Sequence, residues 1–323
     1  MIDISLILSI LIFVFGITLS FIVGGNNSAI SLGILVSTNV MKRKYSYLVS
    51  AISIFLGASV GSLTMFKSVH GIVNTSDELI AKVIIVCILF SSILSFFYLN
   101  RMGVPTALSQ MIYPSLAVIS LVTRIAFLWS AFLVTLVSWM VSPLVAIISA
   151  LLLYRLVHVF LKNTKGIIEQ VKYYRVIILI ASALTSFVTG ANAVGIIIST
   201  GLFALPEYII VPCYALAAAI GIYLSSWRAV ITVGFRVTKL GYASASSALI
   251  GSALVSEVFT VFSVPISITQ TVMGGIIGLS FSSLTSDIEK QLKQIGRGWL
   301  LSPTFSIIVS LALYGIIRSI LGF

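Results

Sequence analysis

Val104-Pro105-Thr106-Ala107-Leu108-Ser109-Gln110 returns 160 residues later as Val264-Pro265-Ile266-Ser267-Ile268-Thr269-Gln270. Proline removes a backbone donor and pushes the residue before it out of helical conformation, so each copy marks a break in an apolar segment. Two further pairs flank it. Upstream, Gly24-Gly25-Asn26-Asn27 answers to Gly190-Ala191-Asn192-Ala193, 166 residues apart. Downstream, Trp139-Met140-Val141-Ser142-Pro143 with Tyr154 answers to Trp299-Leu300-Leu301-Ser302-Pro303 with Tyr314, again 160 apart. Interrupted apolar segments in matching places of two halves are the sequence pattern of a secondary transporter's central binding site.

Composition puts the 323 residues in a bilayer. Hydrophobic residues make up 59%, charged residues only 8%, and the mean hydropathy is +1.19. Soluble domains carry about 25% charge, and this chain has too few polar residues to cover a water-facing surface. Apolar stretches such as Ile4 to Val23, Tyr45 to Phe66, Val83 to Leu99 and Ile125 to Leu153 reach the roughly 20 residues a crossing helix needs. The first has no basic start and is followed by more membrane, so it reads as a span rather than a signal peptide.

The net charge of +11 is scattered singly between apolar segments, which argues against nucleic acid and for orientation signals. Fifteen of the 19 cations fall on one side if Lys42, Arg43, Lys44, Arg101, the Arg155 to Arg175 stretch, Arg228, Arg236, Lys239, Lys290, Lys293 and Arg297 are placed together. Lys67, Lys82, Arg124 and Arg318 stay opposite. That arrangement predicts a multi-pass cell-membrane protein of about ten crossings with both termini outside. Five crossings per half, an odd number, invert the second copy. The expected organisation is therefore all-α: a first inverted transmembrane repeat over 1–161, a cytoplasmic linker over 162–175 and a second inverted repeat over 176–323, each of about five helices with broken or re-entrant segments.

Glycine and asparagine are poor residues for a continuous helix, Gly costing about 1 kcal/mol relative to Ala. Unwound backbone at membrane depth survives only inside protein or along a watery cavity. Asn26, Asn27, Ser28 and Asn192 are expected to cap new half-helices, with Pro105 and Pro265 in first helical turns and Ser109, Gln110, Ser267, Thr269 and Gln270 facing those helix starts. Converging helix N-termini concentrate partial positive charge and free N–H groups, which makes an anion site.

At these residues the chain resembles the inorganic phosphate transporter (PiT) family, whose repeats each carry a Gly-Ala-Asn-Asp-x-x-Asn signature and a Gly-x-Pro-Val-Ser-Thr-Thr-His signature. Gly24 to Gly33 and Gly190 to Thr200 follow the first in outline. Gly103-Val104-Pro105 with Ser109, and Val264-Pro265 with Ser267 and Thr269, follow the second, while Trp227 to Gly234 and Thr238-Lys239-Leu240 look like the family's segment after its second break. The resemblance spans nearly the whole chain. It implies a secondary carrier of phosphate working by alternating access, coupled to sodium or protons, with Asn26, Asn192, Ser109, Ser267 and Thr269 keeping the family's site chemistry. The departures are Asn27 and Ala193 at the family's Asp positions, Ile30 and Ile196 at its second Asn, and Gln110 and Gln270 at its closing His. Some short members of the broader family resemble sulfate permeases, and sulfate, which only accepts hydrogen bonds, suits a donor-lined site without carboxylates. An anion channel on the same breaks is the remaining alternative.

Glu257 is an acid well inside a predicted span, and an intramembrane carboxylate is a candidate for coupling. His70, His158, Trp129, Trp139, Trp227 and Trp299 read as residues of the membrane edges. No metal-ligand cluster, nucleotide loop or nucleophile constellation is present, so neither an enzyme nor a bound cofactor is expected beyond a coupling Na+ or H+. The expected partners are phosphate or sulfate, lipid and, as an open alternative, a second copy of the chain.

Overall fold

Asp3 opens the first helix, its carboxylate accepting from the N–H of Ser5 at 2.9 Å. Asp77 opens another by accepting from Leu79 and Ile80 at 2.9 and 3.2 Å, with Glu78 in its first turn and Arg101 in its last, both signs matching the helix dipole. The computed structural model describes residues 3–70, 73–74, 77–102, 106–162, 164, 166–224, 230, 241–280 and 286–322. Val104, Pro105, the 227–240 stretch apart from Val230, and the side chains of Lys67 and His70 lie outside the described residues.

Among the described residues, and beside a four-residue helix at Lys67–His70, twelve helices follow one another in two series. The first comprises α1 (Ile4–Asn27), α2 (Ala29–Ser37), α3 (Arg43–Val60), α4 (Glu78–Arg101), α5 (Leu108–Thr123) and α6 (Trp129–Leu161). The second comprises α7 (Ile167–Val188), α8 (Gly195–Gly201), α9 (Glu207–Leu224), α10 (Gly241–Val261), α11 (Ile268–Ser280) and α12 (Ser286–Leu321). Among the described residues, eight helical stretches are long and apolar enough to cross a membrane, with α5 and α11 as shorter apolar helices. Outside the helices, Val73–Asn74 and Ala126–Phe127 form one antiparallel two-residue ladder.

Packing follows the repeat. α1 lies on α9 as α7 lies on α3, α1 on α4 as α7 on α10, α6 on α10 and α11 as α12 on α4 and α5. The same glycines make both cross-repeat contacts. A Cβ on Gly24 would overlap the Ala218 backbone and one on Gly221 the Phe21 carbonyl; in the partner contact, Gly190 meets Ile54 and Gly57 meets Phe187. Each residue of the first set is the repeat counterpart of one in the second. Small residues let helix backbones approach closely where lipid gives no hydrophobic drive to association.

The outer faces are apolar throughout. Along α6, Met140, Leu156 and Phe160 are 73, 63 and 77% exposed, a surface at home only in hydrocarbon.

One expectation changes. Helix α7 begins at Ile167, so residues 167–175, expected in a linker, are already helical. Trp139 lies ten residues into α6 and packs against the core.

Candidate functional site

The second Val-Pro copy produces a genuine break, and in the first the described residues Thr106 and Ala107 are non-helical ahead of α5. After α10 the chain leaves helical conformation at Phe262, with Ser263 at φ 60°, and α11 restarts at Ile268. Ser267 caps it: its Oγ accepts from Gln270 N–H at 3.3 Å and shares a 3.1 Å hydrogen bond with Thr269 Oγ1. Pro265 thus stands in the lead-in rather than in the first helical turn. In the first copy α5 restarts at Leu108 from an extended Ala107 that offers no side-chain cap.

The Gly-Asn copies behave otherwise. α1 runs through Gly24 to Asn27 and only Ser28, itself in helical conformation, separates it from α2; the second copy passes through Thr189–Val194 as a π-helical turn, every residue of it buried. No new half-helix is capped here. Ser28 makes no capping hydrogen bond, and Asn26 Nδ2 donates only to Asn27 Oδ1 at 3.4 Å. A π-turn bulges the helix without freeing a set of N–H groups, so glycine is accommodated by distortion instead of a full break. Two helix starts therefore point at the centre, not four.

Asn192 uses that bulge differently. Fully buried, it donates through Nδ2 to Thr260 Oγ1 at 3.0 Å and Val264 O at 3.3 Å, and accepts from Ile266 N–H at 3.4 Å. Its side chain holds the lead-in of α11 in place.

All four elements meet around one narrow, partly open cavity. The lining is Asn27 from α1, Ala107, Leu108 and Ser109 from the start of α5, Ala193 and Ile196 from the second bulge and α8, and Ile266, Ser267, Ile268 and Thr269 from the start of α11. Of the sequence candidates, Asn27, Ser109, Ser267 and Thr269 line it; Asn192 braces its wall; Asn26, Ser28, Gln110 and Gln270 stand outside the lining. Gln110 Oε1 and both amide atoms of Gln270 are buried without a hydrogen-bond partner among the described residues. The apolar part of the lining, Ala107, Leu108, Ala193, Ile266 and Ile268, lies inside or beside the duplicated motifs but carries no polar mark in the sequence.

No lining residue is titratable. The cavity offers hydroxyl and amide donors, with two helix starts contributing partial positive charge, an environment for an anion that brings no fixed charge into the bilayer. Among the described residues no group of three or more His, Cys, Asp or Glu could hold a metal ion.

Fold and cavity together define a polytopic membrane permease. The sequence profile of the Phosphate transporter family matches residues 23–310, and the chain belongs to that family. It is 26% identical over 294 residues to a putative phosphate permease of Methanocaldococcus jannaschii, covering 90% of this chain and 92% of that one. It is 25% identical over 300 residues to a sulfate permease of Bacillus subtilis, covering 89% and 82%. A solved structure titled the sodium-dependent phosphate transporter superposes with a TM-score of 0.84 at 18% identity, over 97% of this chain and 100% of that one.

Proposed function

We propose that the chain carries inorganic phosphate across the cell membrane by alternating access, with the anion seated between the starts of α5 and α11. The observation that carries this is the meeting of one helix N-terminus from each repeat, with Ser109 and Thr269, repeat counterparts, on the same cavity. In this reading Ser109, Ser267, Thr269 and Asn27 donate to phosphate oxygens, and Asn192 positions the α11 start. Gln110 and Gln270, one residue beyond the lining, turn toward the anion when the cavity opens; Asn26 and Ser28 set the bend that presents Asn27.

The packing supports inversion of the copies. Gly57 meets Phe187 and Gly61 meets Ala191, so α3 and α7 run the same way. Only Thr38 to Lys42 link α2 to α3. If that link turns the chain back, α7 opposes α1 and the halves are inverted, with both termini outside.

The test is counterflow of labelled phosphate into proteoliposomes preloaded with phosphate. Exchange saturable in phosphate supports the carrier; uptake that only follows the membrane potential points to a channel. Sulfate is the second reading, favoured by the absence of any lining carboxylate to accept the proton of hydrogen phosphate. Counterflow by sulfate with phosphate excluded decides for it. Transport is coupled to a cation gradient, sodium or proton.

A further inference from the structure

The acids of this chain are not distributed alike. Asp3 and Asp77 cap helices, Glu78 pairs with Lys82 at 2.6 Å, and Glu169 and Glu207 stand in the first turns of α7 and α9. Glu257 alone among the described acids lies in a helix interior, four residues before α10 ends at Val261. Its Oε2 is buried and has no hydrogen-bond partner among the described residues. An ionised carboxylate is costly in such a place, and a bound proton removes that cost.

Among the described residues, the elements packed on α10 bring no counter-charge to Glu257. Elements packed on α10 are α6, α7, α11 and the 61–65 turn; α11 and the turn contain no titratable residue. On α6 the titratable groups are Tyr154, Arg155 and His158. Ser252 donates to Thr271 O and Gly275 meets Ala248, so α11 opposes α10; Gly274 meets Pro143 and Gly278 meets Ile147, so α6 runs with α11 and opposes α10 as well. Gly251 lies against Ala150, which puts Glu257 level with about residue 144, roughly 15 Å along the axis from Tyr154. On α7 the groups are Glu169, Lys172, Tyr173, Tyr174 and Arg175. Asn192 meets Thr260, so even Arg175 stands about 25 Å of helix away from that contact.

The turn that bears Glu257 leads to the cavity. Thr260, one turn on, donates to Ser256 O at 2.8 Å and accepts from Asn192, whose Oδ1 accepts from the N–H of the lining residue Ile266. We propose that Glu257 is the proton-binding residue that couples anion movement to the proton gradient, its charge acting on the cavity wall through Thr260, Asn192 and Ile266. The carboxylate takes a proton when the carrier faces the acidic side and releases it to water on the other, one proton moving with each cycle and no covalent bond to the anion. A metal cation needs several oxygen ligands together, and a single carboxylate serves a proton better.

This inference rests on the carrier reading, and the experiment separates the two. Wild type, Glu257→Gln and Glu257→Asp are reconstituted and assayed for phosphate counterflow without gradients, then for uphill uptake driven by a pH gradient or a sodium gradient. One pH unit can drive about tenfold accumulation per proton. Wild type is expected to accumulate phosphate with the outside acidic, irrespective of sodium. Glu257→Gln is expected to keep counterflow within about twofold while losing the roughly tenfold accumulation. Glu257→Asp is expected to accumulate with a displaced pH profile. Accumulation by Glu257→Gln at the wild-type level, an unchanged profile in Glu257→Asp, or wild-type accumulation that follows sodium alone would each overturn the proposal. If Glu257→Gln loses counterflow through misfolding, the Glu257→Asp profile decides. Absence of counterflow in the wild type removes the carrier reading itself, and this inference with it.

Discussion

The hydroxyl of Ser109 donates to the carbonyl oxygen of Ile266 at 3.0 Å, a hydrogen bond that ties the start of α5 to the lead-in of α11, 157 residues further along the chain. The repeat counterpart of Ser109 is Thr269, which bonds to its neighbour Ser267 instead. The two copies therefore hold the cavity with different hydrogen bonds. The clamp is also one-sided: Asn192 holds Thr260, Val264 and Ile266, while its counterpart Asn26 reaches only Asn27. Alternating access between inverted copies requires such an asymmetry to be exchanged.

Joining residues 109 and 266 should stop transport. Cysteines at both positions, in a background with Cys87 and Cys213 replaced, are expected to lose counterflow when bridged by a thiol cross-linker and to recover it on cleavage. Undiminished exchange in the bridged protein would show that this contact does not move.

Ser109→Ala and Thr269→Ala remove one donor each from the cavity. A hydrogen bond to a charged group contributes about 1.5–3 kcal/mol, so each change should weaken half-saturation for phosphate by roughly ten- to a hundredfold. In the proposed carrier Ser109 would give up its bond to Ile266 to reach the anion, so its loss should fall at the lower end. Concentration dependence of counterflow measures both.

Asn192→Ala leaves the Ile266 N–H without its side-chain acceptor inside the protein, at a cost of about 1–3 kcal/mol. Asn192→Asp is expected to be worse, since a carboxylate oxygen would face the Val264 carbonyl in place of a donor. Thermal melting in detergent should rank wild type above Ala and Ala above Asp.

Gly57→Ala and Gly221→Ala should destabilise by similar amounts, about 1–3 kcal/mol each, because the added methyl meets the Phe187 carbonyl in one contact and the Phe21 carbonyl in the other. Gly296→Ala has open space and should raise stability by up to about 1 kcal/mol through helix propensity. Unequal penalties at Gly57 and Gly221 would break the equivalence of the two contacts.

Much of this architecture is visible in the residues themselves. Offsets of 160 and 166 mark the repeats, and Pro265 does lie where the chain leaves helical conformation between α10 and α11. The Gly-Asn copies were harder to read. Gly190 and Asn192 look like helix breakers, yet the chain absorbs them in a π-turn whose advantage lies in tertiary contacts: Gly190 for Ile54, Asn192 for Ile266. The apolar lining was also hidden, since Ile266 and Ala107 line the cavity by backbone position and carry no chemical mark. Asn192 was legible as important but not as a brace, because Thr260 and Val264 are more than 60 residues away in sequence.

The most direct test of the central claim is a density map of the protein with phosphate or arsenate bound. The account predicts anion density between the starts of α5 and α11, within hydrogen-bonding distance of Ser109 and Thr269. Density elsewhere in the protein, with that cavity empty at saturating anion, would contradict it.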